Sequence, residues 1–232
     1  MRATHAVFAI AAAIAVGTTT LPAQVLQGSQ AATALVPKSG ADSAYLTRIA
    51  LLQGGDTTAD LSALRRQFAQ TTFYHPYSTT ADDLRHRMWK HLNDKDAAGA
   101  GAAADSLLAE NYFDADAQMV AGMAAGERDD TVAAVRHITI ARGIIRSIES
   151  TGDGRTSDHA MFVLSPSEEY SYLAANDLRR VGRQALVECA GHACDVLEVA
   201  PSGGGKHFDL FFDVSLPMAY LDRQFKPASK PK

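Results

Sequence analysis

The sequence predicts an α+β protein: N-terminal antiparallel helical hairpins of tetratricopeptide-like build, then a small, mostly antiparallel sheet with two helices. Three observations predict it. Up to Ser150, apolar residues recur at three- and four-residue spacing in segments separated by short polar links. After the Gly152-Asp153-Gly154 turn the pattern changes to short apolar runs and alternation, which is the period of strands. Within that second region, Ser165-Pro166-Ser167-Glu168 marks a helix start. The predicted organisation is a signal peptide over residues 1–23, a flexible arm and short helix over 24–55, a helical region over 56–150, an α+β region over 151–226 and a disordered tail over 227–232.

The start of the chain carries a compartment signal. Arg2 precedes an uninterrupted apolar run over residues 6–16, too short for a comfortable membrane span, and Ala23 suits the last position before a signal-peptidase cut. The competing reading is an uncleaved anchor. No later stretch is apolar for long enough to span a membrane, so the mature protein is expected to be soluble and periplasmic or secreted. Hydrophobic residues make up 47% and charged residues 21%, enough to fill a core. The formal charge of -4 predicts no broad basic surface, hence no nucleic-acid partner.

In the helical region, residues 41–52 carry Tyr45, Ile49 and Leu52 on one face, and Gly54-Gly55 ends that helix. In residues 56–70, Asp60 precedes a face made by Leu61, Leu64 and Phe68, with Arg65 and Arg66 placed off it. Pro76 breaks the helical pattern inside an aromatic linker holding Tyr74, His75 and Tyr77. That linker reads as packing, with a stacking platform for a sugar or peptide as the functional alternative. Residues 78–94 form a helix with Thr80 as predicted N-cap and an apolar stripe of Leu84, Met88 and Leu92. Three more helices follow over 97–110, 114–126 and 130–150. Small residues such as Ala98, Ala102, Ala117, Ala121 and Ala133 allow close helix pairs. The last helix is apolar over much of its girth: Val132, Val135, Ile138, Ile145 and Ile148 on one side, Ile140 and Ile144 on another. It is therefore expected to be central. His137 on it reads as a core or boundary histidine.

In the second region a strand is predicted over 160–164. A helix follows, with Ser165 and Glu168 as a capping box and Tyr170 and Leu173 facing inward. Further strands are predicted over 184–188, 196–199 and 207–214, and a final helix opens at Ser215-Pro217 with Leu221 and Phe225 on one face. Cys189 and Cys194 flank Ala-Gly-His-Ala, so a four-residue hairpin loop would set them opposite each other as a disulfide. The rival metal reading of Cys189, His192 and Cys194 lacks a fourth ligand nearby and matches no standard zinc spacing.

The richest chemical cluster is Asp153, Ser157, Asp158 and His159, with Glu168 and Glu169 close behind. A hydrolase site is one reading, but Ser157, Asp158 and His159 alternate sides of an extended segment and do not form a site by themselves. A calcium loop is another, lacking the alternating ligands and late Glu of an EF-hand. The plain reading is turn chemistry, in which the glycines permit a tight turn and Asp153 bonds its own backbone.

A resemblance enters through specific residues. Asp60, Leu64-Arg65 and Phe68, then Tyr74 and Pro76-Tyr77, then Ser147-Ile148 with Thr151-Gly-Asp-Gly154, are similar to the bacterial family catalogued as domain of unknown function 4919. So are Ala160, Val163, Glu168-Glu169-Tyr170 and Leu173, and the ending with Asp195 and Phe211-Phe212-Asp213-Val214. The resemblance covers residues 56–225. It implies an exported bacterial protein of helical-then-mixed build, and it supplies no activity and no catalytic residue.

The function expected from the sequence is a non-enzymatic binding or scaffold module for an unknown protein or small ligand, with no cofactor, no metal and no membrane span after signal cleavage. The alternative is a hydrolase-type enzyme at the helix–sheet junction, using Asp153, His159 and Glu169. The possible ligand or turn residues are Asp153, Asp158, His159, Glu168 and Glu169.

Overall fold

Among the described residues, six of the eight α-helices start on the same local device. In the computed structural model, which describes residues 35–56 and 58–225, α1 (Gly40–Gln53), α2 (Leu61–Phe68), α3 (Thr79–Asn93), α4 (Ala97–Glu110), α5 (Ala115–Glu127) and α6 (Thr131–Glu149) each follow a Ser or Asp N-cap. The caps are Ser39, Asp60, Ser78, Asp96, Asp114 and Asp130, and each side chain accepts the amide three residues on. One such cap is worth about 1 kcal/mol. The cap of α3 is Ser78 and not Thr80: Ser78 Oγ accepts from Ala81 N, and Thr80 is already inside the helix. The predicted signal peptide, most of the predicted arm and the predicted tail lie outside the described residues. Among the described residues no helix is long and apolar enough to cross a membrane.

Each of α3, α4 and α5 packs on the next helix across a link of three or four residues, as successive antiparallel hairpins do. Leu84, Met88, Ala100, Ala104, Leu107, Ala117 and Val120 form one apolar cluster between α3, α4 and α5. Small residues set the approach, as expected for Ala117 and Ala121, which are buried between the helices, but not for the predicted pair on α4. Ala98 and Ala102 are exposed, while Gly101 is buried so closely that a Cβ would lie 2.7 Å from Ala124 Cβ. The early part of α6 also departs from expectation: Val132 and Val135 are 75% and 65% exposed, because the first turns of that helix lie at the edge of the array. Its later residues Ile140, Ile144 and Ile148 are buried and reach two further clusters.

The second region is a four-stranded sheet in the order β1-β4-β3-β2. Its strands are β1 (Met161–Phe162), β2 (Leu178–Cys189), β3 (His192–Pro201) and β4 (Phe208–Asp213). β1 runs parallel to β4, and the other pairs are antiparallel. The strand expected over 160–164 is only two residues long, because Val163 to Ser165 turn away to start α7 (Pro166–Ala175). β2 is far longer than expected. Leu197, Val199, Leu210 and Phe212 cover one face and pack with Ile148 of α6 and Leu173 of α7. Tyr170, expected inward, is 43% exposed. The last helix, α8 (Ser215–Phe225), buries Pro217 and leaves Phe225 80% exposed, against the predicted face.

The cysteine hairpin closes on two residues, not four. Cys189 pairs with His192, and the turn residues Ala190 and Gly191 take φ of 27° and 87°, as two-residue hairpin turns require. Cys194 pairs with Val187, so the cysteines lie diagonally across the ladder at a Cα–Cα distance of 5.8 Å and form a disulfide. That bridge takes both sulfurs, leaving no thiolate for a metal at Cys189, His192 and Cys194.

A third cluster joins the two regions. Tyr45, Ile49, Leu64, Phe68, Tyr74, Phe113, Ile144 and Leu164 bring α1, α2, the aromatic linker, α5, α6 and the segment after β1 into one core. The described residues all fall in one compact unit.

Candidate functional site

The junction of the two regions is organised by the first turn of α7. Ser165 is the N-cap residue and Pro166 the first helical residue, yet Ser165 makes no side-chain cap bond. Its Oγ lies 2.8 Å from Ser167 Oγ instead. Glu168 does reach back, but one residue further than a capping box would: Oε2 accepts from Leu164 N at 2.7 Å. The same carboxylate holds Arg65. Arg65 Nε donates to Glu168 Oε1 at 3.2 Å, and Nη2 donates to Oε2 at 2.5 Å. Arg65 also donates to Ser147 Oγ at 2.9 Å and to Phe162 O at 3.5 Å.

Arg65 is therefore fully buried, correcting its predicted place off the buried face. Its neighbours in sequence could not show this, since its partners come from α6, β1 and α7. Four elements meet on one guanidinium whose donors are spread over three different partners.

Glu169, the next residue, has the opposite environment. It is buried, and neither Oε1 nor Oε2 has a donor; Asp195 Oδ1 on β3 is likewise buried without one. Burial first, then the charge of Asp195 and a hydrogen bond with it, push the Glu169 carboxyl up from 4.5 to about 9. A proton on Glu169 would supply the O–H that two facing carboxylates lack, with Asp195 as the nearby carboxylate able to accept it. Asp195 Oδ2 accepts from Gln184 Nε2 at 2.6 Å, and Gln184 Oε1 in turn accepts from Tyr170 OH at 3.3 Å.

The Gly-Asp-Gly turn stands apart from this buried turn. Asp153, Asp158 and His159 are all exposed. Asp153 Oδ1 accepts from Arg155 N at 2.9 Å, an Asx bond to its own backbone. His159 Nδ1 shares a hydrogen bond with Thr156 Oγ1 at 3.1 Å, and Ser157 Oγ donates to Asp158 Oδ1 at 3.4 Å. Gly154 has φ of 65°; its N donates to His159 O at 2.8 Å, and its O accepts from Phe211 N at 2.9 Å. Among the described residues, no hydrogen bond or ion pair joins Asp153, Asp158 or His159 to Glu168 or Glu169. The structure gathers the predicted residues into two groups rather than one.

Beside the α7 turn opens a cleft of about 300 Å³. The aromatic linker over residues 73–78 forms one wall and Ser165 to Ser167 another; the start of α3 and the α4–α5 link complete it. Tyr74 is buried in the wall, with its OH donating to Leu164 O at 2.7 Å, while Tyr77 is 39% exposed. His75 Nδ1 and Tyr220 OH share a hydrogen bond of 2.7 Å that ties the linker to α8. Arg85 crosses the floor. It donates to Asp114 Oδ2 at 2.5 Å and to Asp82 Oδ1 at 3.0 Å, and its Nε is buried without a partner. Asp114 serves twice, since its other oxygen caps α5 through Ala117 N. Sequence reading missed Arg85 entirely, because nothing in its own stretch separates it from the exposed charges around it. Asp114 was visible only as a helix start.

Fold and cleft define the class: an α+β protein in which a series of helical hairpins is docked on a small mixed sheet through a buried polar junction. The chain belongs to the family described as Domain of unknown function (DUF4919), whose model matches residues 38–223. The match begins before residue 56 and so takes in α1, whose Tyr45 and Ile49 belong to the junction core. No curated protein and no solved structure matches the chain.

Proposed function

We propose that this chain is an exported, non-enzymatic binding module that holds its ligand in the junction cleft. The cleft itself carries the reading. It combines exposed aromatic surface at Tyr77, two serine hydroxyls from Ser165 and Ser167, and the Arg85 guanidinium in its lining. Those groups recognise a ligand by hydrogen bonds and stacking. The acidic residues at the junction are committed elsewhere: Glu168 to Arg65, Glu169 to Asp195, and Asp114 to Arg85 and the α5 cap. The hydrolase alternative asks Asp153, His159 and Glu169 to act together, whereas two of them lie on an exposed turn and the third is buried under α7. The disulfide supports export, since such bridges persist in oxidising compartments.

The test is native mass spectrometry of protein purified after export, compared with its denatured mass. The expected result is an adduct that disappears on denaturation and is lost in Tyr77→Ala and Ser167→Ala, both at positions with solvent access. Turnover of an ester or glycoside substrate that depends on His159 or Glu169 would overturn the reading in favour of the enzyme.

A further inference from the structure

A second concavity lies away from the junction cleft, between α3, α5, α6 and α7. Its volume is about 450 Å³. Trp89, Met119 and Ile145 wall it, and alanines from α5, α6 and α7 line its floor. Trp89 and Met119 are 38% and 37% exposed, and Met123, one turn beyond Met119, is 49% exposed. Trp89 and Met119 facing water in the same groove give it an apolar surface that a ligand can cover, while Met123 lies outside its lining. Met and Ala suit a flexible apolar body, because a thioether adapts its shape and the alanines leave depth.

The charges of the groove are asymmetric. Arg142 and Arg146 stand four residues apart on α6, so they share a face and border the groove together. Both are exposed, and among the described residues neither enters an ion pair. Opposite them, Asp116 on α5 is the one carboxyl of the lining. Burial first, then the charge of Asp114, push it up to about 6, against the pull of Arg85. Two unpartnered guanidiniums at the edge of an apolar groove complement an anion carried on an apolar body.

We propose that this groove binds an unbranched acyl carboxylate, with the chain along Trp89, Met119 and Ile145 and the carboxylate on Arg142, assisted by Arg146. The site is separate from the junction cleft and does not depend on the reading of that cleft.

Trp89 is the single tryptophan of the chain, so its emission reports on this groove alone. The experiment titrates the disulfide-bonded mature protein with decanoate below its micelle concentration and follows Trp89 fluorescence, with calorimetry for stoichiometry. The expected result is a saturable shift of Trp89 emission to shorter wavelength at one equivalent. Arg142→Ala should weaken binding about tenfold, the scale of one partly exposed charge-assisted contact. Asp116→Asn should tighten it by removing the opposing charge, and 1-decanol should bind at least about tenfold more weakly than decanoate. Arg142 is exposed and unpaired, so its variant should keep the wild-type melting temperature, which is checked alongside. Equal binding of decanoate and decanol, indifference to Arg142→Ala, or an unsaturable signal would overturn the proposal. So would a ligand-free dimer in native mass spectrometry in which Trp89 is shielded by a second copy.

Discussion

Arg65 and Glu168 are 103 positions apart and form an ion pair whose side chains are 2% and 3% exposed. The pair closes the junction: α2 reaches α7 through it, and Ser147 of α6 and Phe162 O of β1 each take one further Arg65 donor. Removing one partner leaves a buried charge without compensation, which costs about 3–5 kcal/mol. Arg65→Ala and Glu168→Ala should each lower stability by that amount in urea unfolding. The double variant should cost clearly less than the sum of the two, giving a coupling energy above about 1 kcal/mol. Additive losses would show that each residue acts on its own and not as a pair.

Glu169 gives the junction a pH dependence of unusual sign for a carboxylic acid. Its carboxyl titrates near 9 in the folded protein against 4.5 ordinarily, with Asp195 and Glu168 supplying the negative charges around it. The folded state therefore holds a proton that the unfolded state has released between those values. The stabilisation is full below about pH 4.5, declines as pH rises toward 9, and is gone above it. By pH 7 the loss reaches on the order of 3 kcal/mol, since each pKa unit is worth 1.36 kcal/mol. Glu169→Gln keeps a donor for Asp195 and removes the titration. Its melting temperature should be flatter across pH 5–9 and higher than wild type at pH 8. An unchanged pH slope would show that Glu169 is not the titrating group.

The turn that opens the second region is set by backbone contact rather than by charge. A Cβ on Gly152 would lie 2.2 Å from His159 O, a contact that only backbone movement can relieve. Gly152→Ala should destabilise the protein by about 2 kcal/mol, within the range of overpacking. Gly126, near the end of α5, has nothing within 4 Å of its would-be Cβ. Gly126→Ala should be neutral or stabilise by up to about 1 kcal/mol through helix propensity. The comparison is made by thermal melting; equal effects at both positions would remove the steric account of the Gly152 turn.

Local signals in the sequence were reliable where the physics is local. The α4 bounds follow from the Asp96 cap and the Asn111 end, and the starts of α2, α5 and α6 follow from Asp60, Asp114 and Asp130. What the sequence hid depends on partners far along the chain. Arg65 looked like a surface residue because Ser147 and Glu168 lie 82 and 103 positions away. β2 was visible only in its last part, because it is an edge strand whose residues from Arg179 to Glu188 are mostly exposed and whose register shifts between Arg180 and Gln184. Val132 and Val135 misled for the reverse reason: helical periodicity shows which face is apolar, not whether another element covers it. Glu168 and Glu169 were legible as chemically notable, yet their separate fates turn on Arg65 and Asp195, which no local pattern connects.

The disulfide allows compartment and covalent structure to be tested together. Cys189 and Cys194 close a short loop, so the bridge restricts the unfolded chain modestly, by about 2 kcal/mol in the chain-entropy account. Its formation also requires an oxidising environment, which is what the proposed export supplies. The denatured mass of protein recovered after export should match a chain beginning at Gln24, less two hydrogens. Reduction should restore those hydrogens and lower the melting temperature by an amount equivalent to about 2 kcal/mol. The same chain produced without residues 1–23 in a reducing cytoplasm should carry free thiols and start from the lower melting temperature. A full-length mass after export would return the first segment to the anchor reading, and intact thiols in that protein would separate the hairpin geometry from any role of the bridge in the native state.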